Sequence, residues 1–226
     1  MIVQAQRGTL AAGQDQAVAL GGQIVLLAVL DVGPVGWLAG TAYGAALWLT
    51  LSYGLRRSGT YVLGPADRVT LVRATLAGAV VALVASGMDG PVLAALASVA
   101  LLLDAVDGQV ARRTGTVSAF GARFDMEVDA FLILVLSVQV SAEAGLWVLA
   151  IGAMRYVFVA AAWFAPWLRA ALPHSYARKT VAALQGVFLV VAGILPVTAA
   201  VAVAALALAS LAWSFGRDVE WLWRHR

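Results

Sequence analysis

Residues 91–141 read PVLAALASVALLLDAVDGQVARRTGTVSAFGARFDMEVDAFLILVLSVQVS. Two apolar runs of bilayer length predict helices at 91–112 and 118–141, joined by a short connection. Five of the chain's twelve acidic residues lie between Asp104 and Asp129. A carboxylate at the centre of a membrane helix costs about 2.5–3.5 kcal/mol, so such residues are rare there and usually functional. This acidic cluster therefore predicts a functional site.

The spacing of the acids predicts that they converge. Residues three, four and seven apart share one face of a helix. Two stripes follow, Asp104, Asp107, Gly108 and Ala111 on one helix and Gly121, Asp125 and Asp129 on the next. We expect the two helices to be antiparallel neighbours whose stripes face each other. Four converging carboxylates repel one another unless a cation intervenes, and oxygen ligands favour a hard ion such as Mg²⁺ or Mn²⁺.

The composition places the whole chain in a membrane. Of its 226 residues, 62% are hydrophobic and 12% are charged, and the mean hydropathy is +0.90. Soluble domains carry about 25% charged residues. The chain has no cysteine, which excludes disulfides and thiolate metal sites. An all-α integral membrane protein is expected, with no nucleic-acid partner.

Breaks at glycine, proline and charged residues divide the chain into eight predicted helices. Their ranges are 17–31, 34–54, 67–87, 91–112, 118–141, 145–168, 178–195 and 197–216. Every Lys and Arg except Arg155 falls at or near one set of alternate helix ends, and the opposite connections contain none. This asymmetry predicts that both termini are cytoplasmic and that the number of spans is even. Residues 1–16 would be a cytoplasmic tail, and 217–226 a cytoplasmic or interfacial one.

The segment from Asp104 to Asp129 resembles the signature of the CDP-alcohol phosphotransferases, D-x2-D-G-x2-A-R-x8-G-x3-D-x3-D, at every fixed position. A weaker resemblance lies upstream, where the family often has Pro-Asn-x-x-Thr-x-x-Arg. The chain keeps Thr70 and Arg73 but has Asp67 in place of asparagine, with one residue inserted after the proline. The resemblance implies a six-helix catalytic domain at 65–216, preceded by an accessory helical hairpin at 17–58. It also implies a homodimer.

The resemblance further implies an activity in phospholipid biosynthesis. Enzymes of this kind transfer a substituted phosphate, commonly phosphatidyl, from a CDP-linked donor such as CDP-diacylglycerol to an alcohol acceptor and release CMP. Two Mg²⁺ or Mn²⁺ ions would be held by Asp104, Asp107, Asp125 and Asp129. Asp129 would also act as general base, or would serve only as a ligand. The donor would contact Thr70, Arg73, Gly108, Ala111, Arg112 and Gly121.

Some of these residues have simpler interpretations. Small residues such as Gly108 also let membrane helices pack, and Arg73 could anchor a helix end. Arg112 and Arg123 could neutralise two of the acids. Among the remaining basic residues, Arg155 lies in mid-span and would bind an anionic part of the acceptor or of the lipid, or would pair with a motif aspartate. The acceptor pocket would be extended by Arg178 and Lys179, unless these are ordinary charges at a cytoplasmic helix end.

Two other functions share some of these features. Intramembrane carboxylates mark the ion path of a divalent-cation transporter or channel. Here, however, the acids sit at one end of a span, and no second acidic cluster marks another gate. Intramembrane prenyltransferases also use acidic motifs with Mg²⁺, but usually on two well-separated helices. The single compact cluster therefore favours the CDP-alcohol phosphotransferase.

Overall fold

The computed structural model describes residues 2–58, 62–115, 118–170, 172–173 and 175–225, apart from the side chains of 2–12, 105, 111 and 112. Within these residues the chain is all helical, with no strand. Two short 3-10 helices, Leu146–Val148 and Pro166–Arg169, flank the sixth α-helix. The α-helices are α1 (Ile2–Val29), α2 (Pro34–Ser58), α3 (Pro65–Ala85), α4 (Pro91–Thr114), α5 (Ala119–Ala144), α6 (Leu149–Phe164), α7 (Tyr176–Ala192) and α8 (Val197–Arg224).

A helix is present at each of the eight predicted positions, and two ends differ by more than four residues. The first helix begins at Ile2 rather than at 17, and the last continues to Arg224 rather than ending at 216. The segments predicted as tails are therefore helical from Ile2 to residue 16 and from residue 217 to Arg224. Hydropathy identifies only the part of a helix that is apolar enough to lie in lipid. Polar residues with good helix propensity, such as the glutamines of residues 4–16, can continue the helix beyond that part.

Four helical segments are long and apolar enough to cross a membrane. They are Pro65–Ala85, Pro91–Val110, Leu146–Phe164 and Val197–Arg224. Together with the composition, they identify an integral membrane protein. The eight-span path and the division into a six-helix core with two extra helices remain predictions.

The chain forms two compact units, Met1–Asp129 and Ala130–Arg226. Their boundary lies within α5. Helices α1 and α2 therefore belong to the same unit as α3 and α4. The predicted division into an accessory hairpin at 17–58 and a catalytic domain at 65–216 stays a prediction. All four aspartates of the signature lie in this first unit.

Helix α3 is the central helix of the first unit and packs against α1, α2 and α4. Alanine is the most frequent of its buried residues, as at Ala74 and Ala77, which are fully buried. Close approach is also favoured by a stripe of buried glycines on α2, at Gly36, Gly40 and Gly44. A Cβ atom at Gly40 would lie 2.7 Å from Leu27 of α1 and 3.3 Å from Ala82 of α3. Small residues thus allow the packing that holds α3 in place.

In the second unit, α7 packs against α8. The Gln185 side chain, which is 1% exposed, donates from Nε2 to Ser210 Oγ at 3.2 Å. Ala200, Ala204 and Ala207 are buried on α8. Small residues together with a hydrogen bond between helices are a common way to hold membrane helices together.

Candidate metal centre

The four aspartates of the signature converge on one side chain, that of Arg73 on α3. The Nη1 atom of Arg73 lies 2.5 Å from Asp107 Oδ2 and 2.5 Å from Asp125 Oδ1. Its Nη2 atom lies 3.0 Å from Asp104 Oδ1 and also contacts Asp129 Oδ1. Since Asp104 and Asp107 lie on α4 and the other two acids on α5, the guanidinium joins three helices of the first unit.

Burial and hydrogen bonds fix the position of this arginine. Arg73 is 1% exposed, and its Nε atom donates to the carbonyl oxygen of Ala100 at 3.2 Å. An arginine that anchored a helix end in lipid headgroups would be exposed, so the structure contradicts that alternative. One turn earlier on α3, the Thr70 hydroxyl donates to Asp107 Oδ2 at 3.1 Å. The same hydroxyl lies 3.3 Å from the carbonyl oxygen of Ala66.

The carboxylates differ in exposure. Asp107 is 4% exposed, whereas the side chains of Asp104, Asp125 and Asp129 are 37%, 35% and 36% exposed. The cluster therefore has a buried floor at Asp107 and an accessible rim. Ligands can reach it without separating the helices.

The cluster fits a divalent cation in its ligand chemistry and in its charge. Asp104, Asp107 and Asp125 each offer an oxygen atom, and these atoms lie within 4.8 Å of one another. One guanidinium among four ionised carboxylates leaves three negative charges without compensation by Arg73. Partly buried charges that lack compensation are costly, so a hard cation bound by oxygen atoms would stabilise this arrangement.

Gly121 lies where α5 approaches the start of α3. A Cβ atom at this position would lie 2.3 Å from Asp67 Oδ1 and 3.0 Å from Ser118 Oγ. Asp67 is 7% exposed, and its Oδ2 accepts a hydrogen bond from the backbone N–H of Gly64 at 3.0 Å, which caps α3. The space beside Gly121 thus contains the Asp67 carboxylate, and the glycine permits close helix packing here.

The sequence did not predict that Arg73 would be the common partner of the acids. Within the described side chains, every ion pair of the four signature aspartates is with Arg73. Arg123, which the sequence offered as a neutralising partner, is exposed on α5. Gly108 is partly buried on α4. The side chains of Ala111 and Arg112 lie outside the described residues. The spacing of Thr70 and Arg73 was the available signal, because residues three apart share one face of α3.

The residues predicted to bind the acceptor all lie in the second unit. Arg155 is partly buried on α6, and Lys179 is exposed on α7. Arg178, in the first turn of α7, lies 3.4 Å from Asp218 Oδ1 on α8 and donates to the carbonyl oxygen of Pro173 at 3.0 Å. These contacts support the alternative in which Arg178 is a helix-end charge that stabilises the second unit.

Comparison with known proteins agrees with the signature. The family model of the CDP-alcohol phosphatidyltransferases matches residues 64–213, which includes all of α3 to α7 and most of α8. Searches of curated proteins and of solved structures found no significant match. Because the family model covers well over half of the chain and spans both the Arg73 helix and the four converging aspartates, the chain belongs to the CDP-alcohol phosphatidyltransferase family, whose members are membrane transferases of phospholipid biosynthesis.

Proposed function

We propose that the chain transfers a phosphatidyl group from a CDP-linked lipid, such as CDP-diacylglycerol, to the hydroxyl of an alcohol acceptor. The acceptor oxygen forms the new bond to the lipid-bearing phosphorus, the bond from this phosphorus to CMP breaks, and CMP leaves. The observation that supports this most strongly is the convergence of all four signature aspartates on Arg73. These acids are separated by up to 25 positions in the sequence but meet at one point.

The aspartates of the cluster would have different roles in the reaction. Asp104, Asp107 and Asp125 would hold Mg²⁺ or Mn²⁺, since their oxygen atoms are grouped within reach of one ion. Two bound ions would offset the charge of the donor diphosphate and stabilise CMP as it leaves. Asp129, on the accessible rim, would help to hold these ions and accept the proton of the acceptor hydroxyl. Asp107, on the buried floor, has its position fixed by Thr70 and Arg73.

Other residues would bind the substrates. The donor would lie against Gly108, Ala111 and Gly121 on one side, with Arg112 directed to its diphosphate, because a guanidinium matches phosphate oxygens. Thr70 and Arg73 would act on the donor through the aspartates that they hold in place. An anionic acceptor would require basic residues, for which Arg155, Arg178 and Lys179 remain the candidates. A homodimer in the cell membrane, with all termini cytoplasmic, completes this proposal.

Substitution of one buried aspartate tests the proposed reaction. Asp107→Asn removes one ligand charge but keeps an oxygen atom that can accept from Thr70 and Arg73, so the protein should fold. We expect alcohol-dependent release of CMP from CDP-diacylglycerol to fall at least about a hundredfold, as metal-assisted steps lose several kcal/mol when a ligand is lost. The assay supplies Mg²⁺ or Mn²⁺ and a panel of alcohols, and each product is identified by its mass.

Asp15→Asn is the matched control for this experiment. Asp15 pairs with Arg68 at 3.1 Å in the first unit, and neither residue belongs to the aspartate cluster. We expect this variant to release CMP at the wild-type rate. Normal turnover in Asp107→Asn would contradict the proposed metal site. If the wild-type protein released no CMP but carried divalent ions into liposomes, the chain would be a transporter.

A further inference from the structure

A cavity lies in the first unit, between the C-terminal end of α2 and the N-terminal end of α5. Its volume is about 660 Å³, within the usual range for ligand pockets. One wall comes from residues 50–58, which lie outside the match to the family model, and the other comes from residues 119–127. The cavity therefore exists only because the chain has α2 before its family domain.

This cavity is separate from the aspartate cluster. On α5 its walls are formed by Phe120, Arg123, Phe124 and Glu127, whose spacing of three and four places them on one face. Asp125 lies two positions after Arg123 and therefore points to a nearly opposite face of the same helix. Helix α5 would therefore separate a ligand in the cavity from the aspartate cluster.

The inner part of the cavity is apolar and well defined. The rings of Phe120 and Phe124 stack with their centroids 6.1 Å apart, and both pack against a buried cluster that includes Leu51. A Cβ atom at Gly54 would lie 2.6 Å from Phe120, so α2 and α5 are in direct contact here. This contact fixes the wall against which an acyl chain could lie.

The outer part of the cavity is polar and carries a net positive charge. Arg57 and Arg123 line it from the two helices, against a single acid, Glu127. The Nη1 atom of Arg57 donates to the Tyr53 hydroxyl at 2.9 Å, which restricts the conformations of this arginine. The N-terminal end of α5, which begins at Ala119, adds the partial positive charge of the helix dipole. Two guanidinium groups beside a helix N-terminus favour a phosphate group.

We propose that this cavity binds an anionic phospholipid, with its phosphate between Arg57 and Arg123 and an acyl chain along Phe120 and Phe124. The chain is a membrane protein, so lipid surrounds it. The cavity has a positively charged outer part and an apolar inner part, which match the anionic headgroup and the acyl chain of a phospholipid. Bound in this way, the lipid joins the accessory helix α2 to the helix that carries Asp125. It is a resident lipid and not the donor of the reaction.

Lipid binding to the detergent-solubilised, full-length protein tests this assignment. The protein is titrated with dioleoyl phosphatidylglycerol or dioleoyl phosphatidylcholine, and bound lipid is counted by native mass spectrometry. We expect the anionic lipid to bind at least about tenfold more tightly than the zwitterionic one, because each arginine near an anionic headgroup contributes about a factor of five. The variant R57Q/R123Q should lose this preference. R57K/R123K keeps both charges and should retain most of it.

Arg56→Gln is the matched control, since Arg56 is an exposed arginine at the same helix end that does not line the cavity. It should keep the wild-type preference, and circular dichroism checks that each variant is folded. Equal affinity for the two lipids would overturn the proposal, as would an equal loss in Arg56→Gln and R57Q/R123Q. Inorganic phosphate should not displace the bound lipid. Complete displacement by phosphate would show that the cavity binds the phosphate group alone, and would also overturn the proposal.

Discussion

Arg73 determines the charge balance of the aspartate cluster. It is almost fully buried and contacts all four acids, three of which reach solvent. When one partner of a buried ionic network is removed, the remaining charges lose their compensation, which typically costs 3–5 kcal/mol. A divalent ion supplies positive charge to the same carboxylates. The stabilising effects of Arg73 and of a bound metal are therefore expected to overlap, because both compensate the negative charge of the same carboxylates.

The variant Arg73→Gln tests this overlap. In the presence of EDTA we expect the thermal midpoint of the detergent-solubilised protein to fall by several degrees, because four carboxylates then face one another without the guanidinium. Added Mg²⁺ or Mn²⁺ should recover a larger part of the loss than it adds to the wild-type midpoint. Thermal unfolding followed by circular dichroism, with and without metal, provides the measurement.

Arg68→Gln serves as control, because Arg68 is on the same helix but its side chain is 54% exposed and, within the part of the chain that the structure describes, forms its ion pair with Asp15. Exposed pairs contribute about 0–1 kcal/mol, so this variant should melt close to the wild type at every metal concentration. If metal failed to raise the midpoint of either protein, the cluster would not be a metal site.

The sequence predicted the meeting of the four aspartates but not their partner. Spacing along one helix is a local property, so the stripes could be derived from positions 104, 107, 125 and 129 alone. The partnership with Arg73 depends on how α3 packs, since Arg73 lies at least 31 positions before any of these acids. Arg112 and Arg123 are nearer in sequence, and this proximity favours them as counter-ions. Helical phase excludes Arg123, which points away from the face of Asp125.

At the scale of helices, the approach of α5 to α3 depends on Gly121. The Asp67 carboxylate fills the space beside this glycine and also caps the start of α3. A side chain at 121 would have to displace either the cap or the helix that carries Asp125 and Asp129. The family signature fixes a glycine here, and the structure gives a steric reason for it.

Gly121→Ala should therefore be costly. We expect a loss of about 1–3 kcal/mol in stability, typical of overpacking, together with lower CMP release because α5 is displaced. Gly216→Ala is the matched control, since a Cβ atom at Gly216 on α8 meets no atom within 4 Å. That change should be neutral or slightly stabilising, because alanine favours helix. Wild-type activity and stability in Gly121→Ala would show that the close contact is not required.

The positions of the helices were predictable from local signals, while their lengths were only partly so. Three helices, α2, α3 and α4, begin with a proline, which suits the first helical position and marks it in the sequence. After α4, Gly115 has a φ of +64°, which favours glycine and ends the helix. The early start of α1 and the late end of α8 carry no such marker. Helical hydrogen bonds continue there through residues that hydropathy excludes from a span.

At the scale of the whole molecule, the distribution of charge and the length of the apolar helices make different predictions. The alternation of basic residues along the chain predicts eight spans with both termini cytoplasmic. By length and hydropathy, however, only α3, α4, α6 and α8 contain segments that qualify among the described residues. One path therefore has eight spans, and in the other only α3, α4, α6 and α8 cross the membrane. Both paths place the connection after α3 outside. They disagree about the C-terminal ends of α5 and α6, because each end lies on one side of the membrane in the first path and on the other side in the second.

The absence of cysteine makes this difference measurable. Single substitutions Met88→Cys, Thr114→Cys, Glu143→Cys and Arg169→Cys would be labelled in intact cells with a membrane-impermeant maleimide, and again after permeabilisation. On the eight-span path, Cys labelling from outside is expected at 88 and 143 only. If α5 and α7 do not cross, labelling is expected at 88 and 169 instead. Thr114→Cys, at the end of α4 that carries the cluster, should react only after permeabilisation on either path. Labelling of position 114 in intact cells would place the aspartates at the outer face, where cytoplasmic CDP-linked donors could not reach them, and would contradict the proposed reaction.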